Sequence, residues 1–125
     1  MVIDDEVSIV HYLHNLRELY GNDLITFTSS EHALAAFQQA PDTVDAVITD
    51  QTMPDMTGIR LSRELLSIRA DTPIIITTGY SDQIDEKIAR RSGIAAYIEK
   101  PINNDVLLDR IKELLTRTAN TTAHR

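Results

Sequence analysis

Five short apolar runs, each followed by a stretch with helical spacing, constrain the fold of this chain more than any other feature. The runs are Met1–Ile3, Leu24–Phe27, the segment Ala46-Val47-Ile48-Thr49 that stops on Asp50, Ile74–Thr78, and Ile94–Ile98. They are apolar throughout rather than alternating, which is the pattern of strands covered on both faces. The helical patterns between and after them carry Ile9, Val10, Leu13, Leu16, Leu19 and Tyr20; Ala33, Leu34, Ala36 and Phe37; Ile59, Leu61, Leu65, Leu66 and Ile68; a sparse pair, Ile84 and Ile88; and Val106, Leu107, Ile111, Leu114 and Leu115. Strict strand–helix alternation implies a parallel sheet with right-handed crossovers and helices on both faces. The expected fold is α/β: a three-layer α/β/α sandwich around a five-stranded parallel sheet.

Local punctuation agrees with that division. Gly21 and Gly93 stand where helices end, Pro41 follows the second helix, and Asp71-Thr72-Pro73 breaks the third. Thr28, Ser29 or Ser30 can cap the second helix, with Glu31 spaced for a capping box with Thr28. Thr57, Ser81 and Asn103 can cap the third, fourth and fifth. Residues 1–116 are expected to form one domain and 117–125 a polar tail. The first apolar run has three residues where a strand usually has about five or six, so the chain is expected to be cut from something longer or to begin late.

Composition removes several function classes. With 125 residues the chain is long enough for one proper core. It contains no cysteine, which excludes disulfides, thiolate metal sites and thiol nucleophiles. No run approaches membrane-spanning length and no signal-peptide pattern opens the chain, so the cytoplasm is the expected location and no membrane contact is expected of this domain. A net charge of −7 argues against direct binding of nucleic acid, which needs clustered Lys and Arg. Proteins or a cation are the expected partners.

Polar residues collect at the carboxyl ends of the runs: Asp4 and Asp5, Asp50, Thr78, and Lys100. Open α/β sheets bind their ligands at these ends. Three converging carboxylates repel one another, and a hard divalent cation held by oxygen ligands and water, in the manner of Mg²⁺, resolves that repulsion. Lys100 can pair with Asp50 or with an anion attached to it, and an Asp beside Mg²⁺ is a competent nucleophile towards a phosphoryl group. Taken singly, each residue has a plainer reading. Asp4 or Asp5 can cap a helix, Thr78 is a common strand residue, and Lys100 can be a solvated surface lysine. Their coincidence at successive strand ends is what points to a site.

These residues resemble the receiver domain of two-component response regulators, and the resemblance covers essentially the whole chain. It rests on Asp4-Asp5-Glu6 after an apolar strand, on Asp50…Met53-Pro54…Gly58, on Thr78-Gly79, and on Tyr97…Lys100-Pro101, all in the family's order and approximate spacing. The resemblance implies a flavodoxin-like (βα)5 fold and a phosphoacceptor role for Asp50, supplied by a sensor histidine kinase or its phosphohistidine domain. It implies Mg²⁺ held by Asp5, by Asp4 through water, by Asp50 and by the backbone carbonyl of Thr52. Lys100 and Thr78 would bind the phosphoryl oxygens, Tyr97 would move inward behind Thr78, and Thr52 and Tyr80 would tune the phosphoryl lifetime. A bulky Tyr80 over the site suggests a lifetime nearer minutes than seconds. The biased surface would be the fourth helix, last strand and fifth helix, which could also serve a homodimer; a solvated face is the default for its charges.

The domain would then act as a phosphoacceptor with self-phosphotransfer and self-dephosphorylation, not as an enzyme on other substrates. One rival is an Asp-nucleophile phosphatase of the haloacid-dehalogenase type, which places a second Asp two residues after the nucleophile. Thr52 stands there instead. The other rival is a degenerate receiver used only for protein binding, against which the complete set Asp4, Asp5, Asp50, Thr78 and Lys100 speaks. His11 and His14, one helical turn apart, read as a solvated face in the absence of a third ligand. The wording of the segments around Asp50 and Thr78-Gly79-Tyr80-Ser81 most resembles the carboxyl-terminal receiver of a hybrid sensor histidine kinase; a stand-alone or trimmed regulator is the other expectation.

Overall fold

A computed structural model describes residues 1–4, 25–79, 93–99, 105–107 and 109–114. Its strands are β1 (Val2–Ile3), β2 (Thr26–Phe27), β3 (Val47–Asp50), β4 (Ile74–Thr78) and β5 (Ala96–Glu99). All neighbouring pairs are parallel, in the order β2-β1-β3-β4-β5. The chain leaves β1 towards one edge to make β2, and returns past it towards the other edge to make β3. The order therefore reverses between β1 and β3, which is where such sheets open a crevice at their carboxyl ends.

The uninterrupted apolar character of the strands has its expected cause. Ile3, Val47, Ile74 and Ile76 pack on one face with Ala33 and Phe37 of α1 (Ser30–Gln39) and with Leu61 and Leu65 of α2 (Gly58–Ile68). The alternate residues Val2, Ile48, Ile75 and Ile98 pack on the opposite face with Leu107 and Leu114, from the helical residues 105–107 and 109–114. A period of two sends neighbouring residues to opposite faces, so burial of both demands apolar residues at every position. The helices on the two faces make the three layers.

Three details depart from the local expectations. Ser29 caps α1, accepting from the His32 amide at 3.3 Å, so a Thr28–Glu31 capping box does not form. The Glu31 amide instead donates to Asp55, far away in sequence. Ile68 and Val106, expected on apolar faces, are exposed, because each sits at the margin of its helix's stripe. β5 starts at Ala96 rather than Ile94, although Ile94 still reaches the core from the turn after Gly93, whose φ of 79° suits glycine. The caps expected at Ser81 and Asn103 and the helical patterns at 7–20 and 84–88 lie outside the described residues.

Arg69, just past α2, ties the inter-element turns together. Its guanidinium donates to the carbonyls of Pro41 and Val44 at 2.7 Å each, and pairs with Asp71 at 3.0 Å. A second constraint sits at the other end of α2. A Cβ placed on Gly58 would lie 2.6 Å from the Asp50 carbonyl oxygen and 3.0 Å from the Gln51 Cα. Both are backbone atoms that cannot swing aside.

Two stability changes follow. Gly58→Ala should lower unfolding free energy in urea by about 1–2 kcal/mol: overpacking costs on the order of 2 kcal/mol and the better helix propensity of Ala recovers less than about 1. Thr77→Val should raise it by about 1 kcal/mol, because the Thr77 hydroxyl, in a residue 1% exposed, is buried with no hydrogen-bond partner among the described residues. An unchanged denaturation midpoint in either variant would contradict the packing described.

Candidate functional site

The site is assembled by strand register. β1 and β3 pair with Ile3 opposite Thr49, so the next residues, Asp4 and Asp50, are neighbours at the carboxyl ends of adjacent strands. Both are buried, at 3% and 4% exposure. β4 continues one residue beyond the last β3 partner, and Thr78 at its end is 6% exposed and paired with Glu99 of β5. The sheet thus brings Asp4, Asp50 and Thr78 to one end, on both sides of the point where strand order reverses. Asp5, Tyr80 and Lys100 lie outside the described residues.

The loop after Asp50 is closed by its own backbone. The Gln51 amide donates to the Thr77 carbonyl at 2.9 Å, which extends the β3–β4 ladder past the strand end. The Gly58 amide donates to the Gln51 carbonyl and the Ile59 amide to Gln51 Oε1, both at 2.9 Å. Thr57 Oγ1 accepts from the Arg60 amide at 3.3 Å. Two side chains, Thr57 as expected and Gln51 in addition, therefore satisfy the first turn of α2. Between these anchors the Met53 side chain is buried in the core, whereas Thr52 is exposed and directs its amide to Asp50 Oδ1 at 3.4 Å.

Asp55, close to the site in the loop after Asp50, makes a long-range contact that sequence reasoning missed. Its carboxylate accepts from Ser29 Oγ at 2.9 Å, the Ser30 amide at 3.3 Å and the Glu31 amide at 2.9 Å, while Ser30 Oγ donates to the Met56 carbonyl at 2.9 Å. The Glu31 amide, with the Ser29 hydroxyl and the Ser30 amide assisting, holds the Asp55 carboxyl down at about 2. An Asp at a helix amino terminus is a familiar arrangement. Here the helix precedes the Asp by some 25 residues, and no local pattern signals a pairing at that range.

Tyr97 of β5 packs against the core cluster shared with α1 and α2. Its hydroxyl is buried and finds no hydrogen-bond partner among the described residues, and burial pushes the phenol up to about 12. It is therefore neutral over the whole physiological range.

Among the described residues no group of three or more His, Cys, Asp or Glu gathers as a metal site. Two carboxylates, Asp4 and Asp50, do stand side by side. Their chemistry fits a hard cation that takes few protein oxygens and keeps waters. Nitrogen and sulfur donors are missing from this set, which does not suit zinc or copper. Among the described residues no helix is long and apolar enough to cross a membrane.

Comparison with known proteins agrees with this geometry. A family model described as response regulator receiver domain matches residues 1–112. The chain is 34% identical over 122 residues to the probable transcriptional regulator ycf27 of Cyanophora paradoxa, covering 98% of this chain and 50% of the relative. It is 28% identical over 120 residues to the CpxR homolog of Haemophilus influenzae, a transcriptional regulatory protein, covering 96% and 51%. The chain thus spans about half the length of these relatives. Among solved structures, a response regulator receiver domain protein from Clostridium thermocellum superposes with a TM-score of 0.85 at 32% identity, covering 96% of this chain and 95% of that one. A CheY-like receiver domain protein from Methanospirillum hungatei JF-1 gives 0.84 at 26% identity, covering 96% and 94%. With a 2-1-3-4-5 parallel sheet, buried acids where its order reverses and a family match over nearly its full length, the chain belongs to the response regulator receiver domain family of two-component signalling.

Proposed function

We propose that Asp50 is the phosphoacceptor of this receiver domain. The observation that carries the proposal is the placing of two buried carboxylates, Asp4 and Asp50, side by side at the switch point with Thr78 at the next strand end. An Asp50 carboxylate oxygen attacks phosphorus, and the bond from phosphorus to the histidine nitrogen of a sensor kinase breaks. The imidazole leaves with the electron pair, and Asp50 becomes an acyl phosphate. Asp4 and Asp50, with Asp5 and the Thr52 carbonyl, would hold Mg²⁺, which when bound neutralises charge on the transferring group. Thr78 would donate its hydroxyl to a phosphoryl oxygen and Lys100 would supply a positive charge there.

Added negative charge at Asp50 then biases the surface around β5 and its neighbours. Thr78 turns towards the phosphoryl group, and Tyr97, with its hydroxyl already in the interior, fills the space behind. The exposed Thr52 and the adjacent Tyr80 would set how readily water reaches the acyl phosphate. A phosphatase reading needs a general acid two residues after Asp50. Thr52 supplies none, and the family match favours the receiver. A homodimer through the last helix and β5 is a further possibility of the same surface. Residues 1–116 would make up the receiver, in a cytoplasmic setting. The relatives are transcriptional regulators, so an output through transcription is favoured for the parent protein. The wording of Thr78-Gly79-Tyr80 keeps a hybrid histidine kinase as the second reading, which the sequence flanking this segment in its gene would decide.

Incubation with acetyl phosphate and Mg²⁺ should add one phosphoryl group, seen by intact mass, as acetate leaves. Asp50→Asn should abolish the adduct, and chelation of Mg²⁺ should slow its formation by at least about tenfold. No adduct on the unaltered protein would overturn the assignment, and an adduct persisting in Asp50→Asn would move the acceptor elsewhere. Lys100→Ala and Thr78→Ala should each slow transfer by about tenfold to a hundredfold without preventing folding, as followed by the rate of adduct formation and by circular dichroism.

A further inference from the structure

The geometry points to Asp55 as a positioning residue for the cation site: it clamps the loop carrying Thr52 onto the amino terminus of α1. This inference rests on the proposed role of Asp50 and Thr52, and it deepens that role by naming what holds the Thr52 carbonyl in place.

The loop from Gln51 to Thr57 is fixed at its two ends by backbone bonds, Gln51 to Thr77 and Gly58 to Gln51. Near its middle, Met53 is anchored in the core. The next three residues, Pro54, Asp55 and Met56, run over the surface or its margin. Besides the packing of the Met56 side chain against the core, they are restrained by the contact with α1: three donors onto the Asp55 carboxylate, and the Ser30 hydroxyl onto the Met56 carbonyl. A backbone carbonyl strengthens cation binding only if it is held in the required direction beforehand, since otherwise its ordering is subtracted from the affinity. Thr52 is exposed, so burial in the core does not hold it as it holds Met53. The Thr52 carbonyl lies between Gln51, held by its backbone bonds, and Met53, held by the core and flanked by the clamped segment that follows.

The clamp is built to persist. Two of its donors are amides of the first turn of α1, which have no intrahelical partner and favour an anion. The Glu31 amide, with the other donors, holds the Asp55 carboxyl well below the usual carboxylate range. Asn at this position retains one acceptor oxygen for the Glu31 or Ser30 amide, whereas Ala retains none. The positioning role therefore predicts a graded series, with the unaltered protein tightest, Asp55→Asn intermediate and Asp55→Ala weakest.

The test is a Mg²⁺ titration of the unphosphorylated protein followed by amide NMR, with no phosphodonor present. Asp55→Ala should raise the Mg²⁺ dissociation constant by about threefold to tenfold, at or below the low end of the roughly 10–100-fold effects of residues that orient metal ligands directly, since Asp55 acts through the loop. Hydrogen exchange of residues 52–57 should accelerate in the same variant. Arg69→Ala, which removes a structural tie remote from the loop, should leave the Mg²⁺ constant unchanged. Ser29→Ala, which deletes one donor while keeping both amides, should shift the constant in the same direction by a smaller factor, and it serves if Asp55→Ala does not fold. An unchanged constant in Asp55→Ala or Ser29→Ala, or an equal shift in Arg69→Ala, overturns the inference and leaves the role of Asp50 intact. Absence of Mg²⁺ binding by the unaltered protein, together with absence of an acetyl phosphate adduct, overturns the underlying reading instead.

Discussion

The turn from β3 into α2 approaches Asp50 so closely that the backbone of Gly58 touches the Asp50 carbonyl, and much of the site depends on that contact. Because no side chain fits at Gly58, α2 can begin directly against the strand end. The Gln51 carbonyl and side chain then take up the first free amides of the helix. The loop is thereby short and anchored, and the exposed Thr52 keeps its amide beside the acid. A chain that needs a carboxylate to be buried, yet reachable from a loop, has few other ways to achieve it.

The rest of the sheet serves this placement. Burial on both faces, by α1 and α2 on one side and by the helical residues around Leu107 and Leu114 on the other, covers the central strands β1, β3 and β4 up to their last residue. Register then sets Asp4 beside Asp50 without help from either side chain. Two buried carboxyl groups on adjacent strands would be costly to ionise in an ordinary core. Their position at the carboxyl ends, where the sheet opens, is what makes them usable. Thr77 and Tyr97 show a related tension, since each buries a hydroxyl without a partner among the described residues. Such groups are tolerated when surrounding packing over-determines them.

Much of the fold was legible because the signals were redundant. Ile74-Ile75-Ile76 announced a doubly covered strand, and the structure puts Ile75 on one face and its neighbours on the other. Thr57 announced the start of α2, and Pro41 the end of α1, with Gln39 its last residue. The capping box at Thr28 failed because a distant Asp55 competes for the same amide. Ile68 failed because periodicity assigns a stripe but not its edges. Of the proposed site, Asp4, Asp50 and Thr78 are brought to one end of the sheet as their positions after apolar runs implied.

By itself, the sequence determined the alternation of strands and helices, the acids and hydroxyl at the strand ends, and through them the family. These properties are local: they depend on period, on capping chemistry, and on which residue follows an apolar run. Tertiary structure alone decided that β1 sits between β2 and β3, that Asp4 and Asp50 become neighbours, and that Asp55 reaches back to α1. Those facts are contacts between segments separated by some 25 to 46 residues. Their energies depend on register and on the geometry of packed layers, which no window along the chain contains.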